Sequence, residues 1–200
     1  MLTAKIFINI IVSVTNVIIL VRYIYLLYKK EISPSLAMWT FFSLAVGISL
    51  FTYFAEGQHA ISDNILNFTD LIMVVSVTLA IVIWGDVSTR FNRFDVGCLL
   101  AVAGIIIFWI LSDNHIVTNY AVQSIMVISY FPVVKRMAHQ KKNTEAFSVW
   151  IMMFVAAGIS LLASEGWLAS VYAIRAMVCT GALLLLMLRI ELKSRQEEVK

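Results

Sequence analysis

The sequence predicts an all-α fold: a polytopic membrane protein whose seven transmembrane helices form two parallel three-helix repeats joined by an inverting linker helix. Three observations carry this. Apolar runs of about 20 residues recur along the chain, the length that crosses a ~30 Å hydrocarbon core as helix. Lys and Arg crowd into alternate loops. The stretch WTFFSLAVGISL, residues 39–50, returns 111 residues later as WIMMFVAAGISL, residues 150–161, with six identities in twelve positions.

The composition is 61% hydrophobic and 14% charged, with a mean hydropathy of +0.90. A soluble domain is ~45–50% apolar and ~25% charged. Backbone amides in lipid must be satisfied within their own segment, and these runs are too long for barrel strands, so each is a helix. The spans fall at 6–28, 35–55, 64–85, 95–112, 116–137, 146–164 and 168–189. Between them stand YKKEISP, AEGQHAISDN, GDVSTRFNRFD, SDNH, KRMAHQKKNTE and SEGW. The first span lacks a basic n-region and a small-residue cleavage site, and is read as a retained helix.

The basic residues orient the spans. Lys29, Lys30, Arg90, Arg93, Lys135, Arg136, Lys141, Lys142, Arg189, Lys193, Arg195 and Lys200 follow odd-numbered spans, whereas the opposite face carries only Lys5. An excess of Lys and Arg in short loops marks the cytoplasmic side. The N-terminus is therefore expected outside and the C-terminus inside, in a bacterial inner membrane or a eukaryotic plasma or organellar membrane. The same distribution accounts for the net charge of +3 without a nucleic-acid partner. The bilayer is the expected surrounding partner, and a homo-oligomer is compatible with the pattern.

The repeated stretches are the second and sixth spans. Four spans along an alternating chain restore the original direction, so the duplication is parallel. The chain divides into a first repeat over 1–92, a linker helix over 93–114, a second repeat over 115–190 and a cytoplasmic tail over 191–200. A parallel repeat about an axis normal to the membrane is a transporter plan, with the substrate site at the repeat interface. Gly47, Gly158, Ser49 and Ser160 also suit close helix packing of the ordinary kind.

Ionisable groups inside spans are costly and are site candidates by default. Asp70 lies about two turns into the third span and Arg175 about two turns into the seventh, the two being repeat mates. They are expected either to pair across the repeat axis and open to a polar or zwitterionic solute, or to form a permanent ion pair or snorkel to the outer interface. Asn67, Tyr172, Asn119, Gln123 and Asn16 add polar groups to the same region. Trp39 and Trp150 begin the second and sixth spans, as belt anchors or as an aromatic pair at the inner mouth. Arg22 and Tyr23 read as snorkelling side chains.

The segment YFPVVKRMAHQKKNTEAFSVWIMMFVAAGISLLAS resembles a PQ-loop segment: a proline near one helix end, a basic loop, a polar turn ending at Ser148, then a Trp-bearing helix. With the 3+1+3 arrangement, the chain resembles the SWEET and PQ-loop transporter superfamily over its whole length. That resemblance implies alternating access, with Pro132 as a hinge and Gly47 and Gly158 allowing the flanking helices to move. The glutamine of the motif is Val133 here, and Val21 occupies the place of the proline in the first repeat. Sugar-carrying relatives place an asparagine at mid-depth of the third helix of each repeat. This chain has Ser76 and Thr78 there, and Cys179, Thr180 and Gly181, which weighs against sugar.

The expected function is facilitated movement of a small polar solute (sugar, amino acid or vitamin-like), with a sorting or signalling receptor of the same fold as the alternative. The seventh span has no lysine for a retinal Schiff base. His59, His115 and His139 are all assigned to loops, Cys98 and Cys179 to apolar runs, and no catalytic motif appears. No enzyme activity, cofactor or metal is expected.

Overall fold

The computed structural model describes residues 2–56, 60–85, 92–112 and 114–198, and within them the chain is helix and turn with no strand. His59, Arg90 and Lys200, weighed above, lie outside the described residues. The order is α1 (Leu2–Tyr28), α2 (Leu36–Glu56), a 3₁₀ turn (Ile61–Asn64) running into α3 (Ile65–Trp84), α4 (Arg93–Ser112), α5 (His115–Ile128), α6 (Phe131–Gln140), α7 (Phe147–Ser160) and α8 (Trp167–Glu198). Five helical segments are long and apolar enough to cross a membrane: Thr3–Tyr28, Leu36–Ala55, Ile61–Trp84, Val117–Gln140 and Trp167–Gln196.

The polarity of the molecule is that of a membrane protein. Leu111 is 77% exposed and Leu185 70%, while Asn67, Asn119 and Thr52 are buried at 0–1%. Apolar side chains turned outward and amides turned inward are stable only when the surroundings are hydrocarbon.

Three elements differ from the sequence reading. The segment expected as one helix over 116–137 is broken into α5 and α6 by a turn at Ser129 and Tyr130. Pro132, buried one residue into α6, has no N–H to continue the α5 ladder, so the helix restarts around it. The last helix runs past residue 189 to Glu198, because the polar stretch ELKSRQEE is made of good helix formers and carries the Glu191–Arg195 pair at 3.7 Å. His115 begins α5 and His139 lies in α6, not in loops.

α3 packs against both α1 and α2, and α8 packs against α5, α6 and α7. Across these groups α1 lies on α7 and α2 on α5, while α4 leans on α5, α6 and α2. Among the described residues only Lys30 and Lys141 combine a side chain with positive φ, at 57° and 52°, and they stand 111 residues apart. Each ends its helix in the left-handed conformation that glycine usually takes.

Gly47 and Gly158 each leave room for a side chain of a neighbouring helix, Leu71 Cδ1 and Met177 Cε, which would stand 3.7 and 3.6 Å from an added Cβ. At Gly181 an added Cβ would meet Phe154 Cε2 at 3.2 Å. Gly181→Val is therefore expected to cost about 1–3 kcal/mol through overpacking, and Gly47→Ala to be neutral or stabilising. Thermal unfolding in detergent micelles checks both.

Candidate functional site

A cavity of about 30 Å³ lies in the interior, enough for about one or two waters. Asn16 of α1, Asp70 of α3 and Tyr172, Arg175 and Thr180 of α8 supply its polar lining, and Trp39, Phe42 and Tyr130 part of its aromatic lining. The helices deliver these groups by simple periodicity. Tyr172 and Arg175 are three residues apart on α8 and share a face, so that the guanidinium lies over the Tyr172 ring at 4.6 Å from Cζ to the centroid.

Asp70 accepts hydrogen bonds on both oxygens, from Tyr172 OH at 2.8 Å and from Asn16 Nδ2 at 2.9 Å. The Asn16 amide also reaches Thr69 Oγ1 at 2.7 Å. Arg175 donates from Nε to Gln123 Oε1 at 3.1 Å, and its buried Nη2 has no hydrogen-bond partner. Among the described residues Asp70 and Arg175 do not form an ion pair within 4.0 Å. They line one cavity, each held by other groups.

Behind Arg175 stands an amide cluster. Gln123 Nε2 donates to Ser49 Oγ at 3.3 Å and to Asn119 Oδ1 at 3.2 Å. Asn67 Nδ2 donates to Ser49 Oγ at 3.1 Å, and Asn119 Nδ2 to Thr52 Oγ1 at 3.3 Å. Through it α2, α3 and α5 fix the side chain on α8 that faces the cavity. Among the described residues the buried Ser160, the mate of Ser49, bonds only its own helix, through Ala157 O at 2.8 Å, and no counterpart of the cluster is seen there.

Two further side-chain clusters tie the groups of helices together. At the end near the N-terminus, Lys5 Nζ bridges Asp63 and Glu165, each at 2.6 Å. The Glu165 N–H adds a backbone bond to Asp63 O at 3.1 Å. At the Lys/Arg-rich end, Trp39 and Trp150 meet with ring centroids 6.4 Å apart. Trp39 Nε1 donates to Tyr23 OH at 2.9 Å, Tyr23 OH donates to Glu145 Oε2 at 3.0 Å, and Trp150 Nε1 donates to the same oxygen at 3.2 Å. Arg136 lies 3.9 Å from Glu145 Oε1 and donates to the carbonyls of Ser33 and Pro34 and to Thr144 Oγ1. The Ser33 N–H bonds Thr144 O at 3.0 Å. Burial pushes the Glu145 carboxyl from 4.5 up to about 7, against the opposing pull of Arg136 and the two hydrogen bonds.

Of the residues singled out in the sequence, Asn16, Asp70, Tyr172, Arg175, Thr180 and Trp39 line the cavity. Gln123 acts on it through Arg175, Asn67 and Asn119 stand behind Gln123, and Trp150 belongs to the cluster around Glu145. Gly47, Gly158 and Pro132 sit in helix contacts and at the α5–α6 break. Sequence reasoning missed Glu145, Arg136 and Tyr130, and read Tyr23 as snorkelling although it is fully buried. The one available signal was an acid set directly before an apolar Trp-bearing helix. No family model, no curated protein and no solved structure matches this chain.

Proposed function

We propose that the chain is a small-solute membrane transporter of the SWEET and PQ-loop type, working by alternating access and facilitated diffusion. In this reading α1–α3 and α5–α8 are two parallel three-helix repeats, the broken α5–α6 pair counting as one span. The linker between them is α4, and the N-terminus is outside. The observation that carries the reading is a central cavity holding Asp70 and Arg175, together with two clusters of side chains drawn from both groups of helices, read here as its gates.

The packing supports the duplication. Exchanging α1 with α5–α6, α2 with α7, and α3 with α8 returns the principal contacts, α1 on α7 becoming α5 on α2. Ser33 bonds Thr144 and the Trp39 ring meets that of Trp150 at a tilt, each pair separated by 111 residues. Repeat mates that touch each other lie beside the axis relating their repeats. Lys30 and Lys141 add a third pair, alike in backbone conformation.

A carboxylate and a guanidinium with their own partners, set among aromatic rings, suit a small solute bearing both charges or several hydroxyls, such as an amino acid or a vitamin-like molecule. The cavity as closed here admits about one or two waters, so loading requires one end to part. Uptake by proteoliposomes of the purified protein, screened across amino acids, nucleosides and sugars with and without a pH gradient, tests the reading. Flux of one class without a gradient supports facilitated diffusion. No flux of any class shifts the assignment to a receptor of the same fold.

A further inference from the structure

A second concavity, of about 230 Å³, lies between the end of α6 and the last turns of the apolar part of α8. Its rim carries Lys141, Arg189 and Lys193, and its floor Met137, Leu186 and Ile190. We propose that this groove binds the headgroup phosphate of an anionic phospholipid, with the glycerol and upper acyl chain on the apolar floor. This stands apart from the transport reading and rests only on the chain lying in a membrane.

The argument begins with charge. Lys141, Arg189 and Lys193 are all exposed, and none makes an ion pair with a described residue. Among the described residues no acid lines the groove. The nearest acid along α8 with a described partner, Glu191, is about half a turn around the helix from Arg189, and it pairs with Arg195 instead. Three exposed cations around one hollow make a positive patch that attracts an anion.

The second step is depth. After Arg175, α8 reads AMVCTGALLLLML without a charge until Arg189, so the cations begin where the apolar stretch stops. That is the level of lipid phosphates. Leu186, Arg189, Ile190 and Lys193 recur at spacings of three and four, so one face of α8 passes from apolar to cationic as it leaves the hydrocarbon. A free phosphate has no use for the apolar floor, whereas a phospholipid matches both parts. Basic hollows between helices at a membrane surface are suited to anionic headgroups.

The test uses the full chain in nanodiscs of equal phosphatidylglycerol and phosphatidylcholine, released into the gas phase for native mass spectrometry. Wild type should retain phosphatidylglycerol in preference. Lys141→Gln, Arg189→Gln and Lys193→Gln should each weaken retention roughly fivefold, at about one lysine- or arginine-equivalent of surface attraction apiece, and the triple variant should abolish the preference. A control triple, Lys29→Gln/Lys30→Gln/Lys142→Gln, should leave it intact. Should the triple groove variant fold poorly, Lys193→Glu alone decides, since its side chain points out of the packed interior. Equal retention of the two lipids by wild type overturns the proposal. So does an equal loss in groove and control variants, or displacement of the lipid by millimolar inorganic phosphate.

Discussion

The charge-exchanged variant Asp70→Arg/Arg175→Asp should be inactive, with uptake reduced at least ~100-fold and no recovery over either single exchange. The reason is that the two side chains are not simply each other's partner. Asp70 is the acceptor for Tyr172 OH and Asn16, whereas Arg175 is held by Gln123 and lies on the Tyr172 ring. Exchange places a long guanidinium where a short carboxylate is enclosed, and leaves Gln123 Oε1, an acceptor whose amide nitrogen already serves Ser49 and Asn119, facing another acceptor. Breaking such a buried arrangement costs about 3–5 kcal/mol. The gentler Asp70→Asn keeps the shape and removes the charge; it should remain folded by thermal unfolding yet lose most uptake. Full uptake by the exchanged variant would mean that the two residues are an ordinary structural ion pair.

The second large effect concerns Glu145. Its carboxyl, buried and pushed up to about 7 from 4.5, is held by Tyr23, Trp150 and Arg136, which are the groups facing it from α1, α7 and α6. In the closed arrangement the acid keeps a proton that it releases when exposed to water. Between pH 4.5 and 7 the closed state thus binds more protons than the open one, and closure weakens as pH rises through that window. It is complete below the lower value, and each unit of difference corresponds to about 1.4 kcal/mol. Glu145→Gln is neutral at every pH, so closure should become independent of pH and persist at pH 8. Spin labels at Lys30→Cys and Lys141→Cys report the separation at this end. Wild type should shift toward longer distances from pH 5 to pH 8 while Glu145→Gln stays short. A Glu145→Gln variant that keeps the wild-type profile assigns the pH response elsewhere.

How much of this was legible in the sequence follows from what each inference needed. The duplicated Trp-to-Leu stretch needed only spacing, and Trp39 and Trp150 do meet. Asp70, Arg175, Tyr172 and Asn16 were found because any polar group in an apolar run is costly, a rule that requires no rotation angle. Glu145 escaped because it stands in KKNTEAF, which reads as solvated punctuation; its burial depends on how α1 brings Tyr23 over that loop. Tyr23 was misread for the same reason, since depth along a helix does not say which face turns inward. Pro132 announced a bend, but the restart of the helix as a separate α6 depends on the turn at Ser129 and Tyr130.

The central claim is that the ends of the cavity open in alternation, by movement of one group of helices against the other. With Cys98 and Cys179 replaced by Ala and Ser, Ser33→Cys/Thr144→Cys bridges one end and Asp63→Cys/Glu165→Cys the other, each pair lying at an observed backbone hydrogen bond. The decisive measurement is solute flux into proteoliposomes before and after oxidation of each pair. Either bridge alone should stop flux, and reductant should restore it. Flux that continues with one end covalently shut would contradict the account.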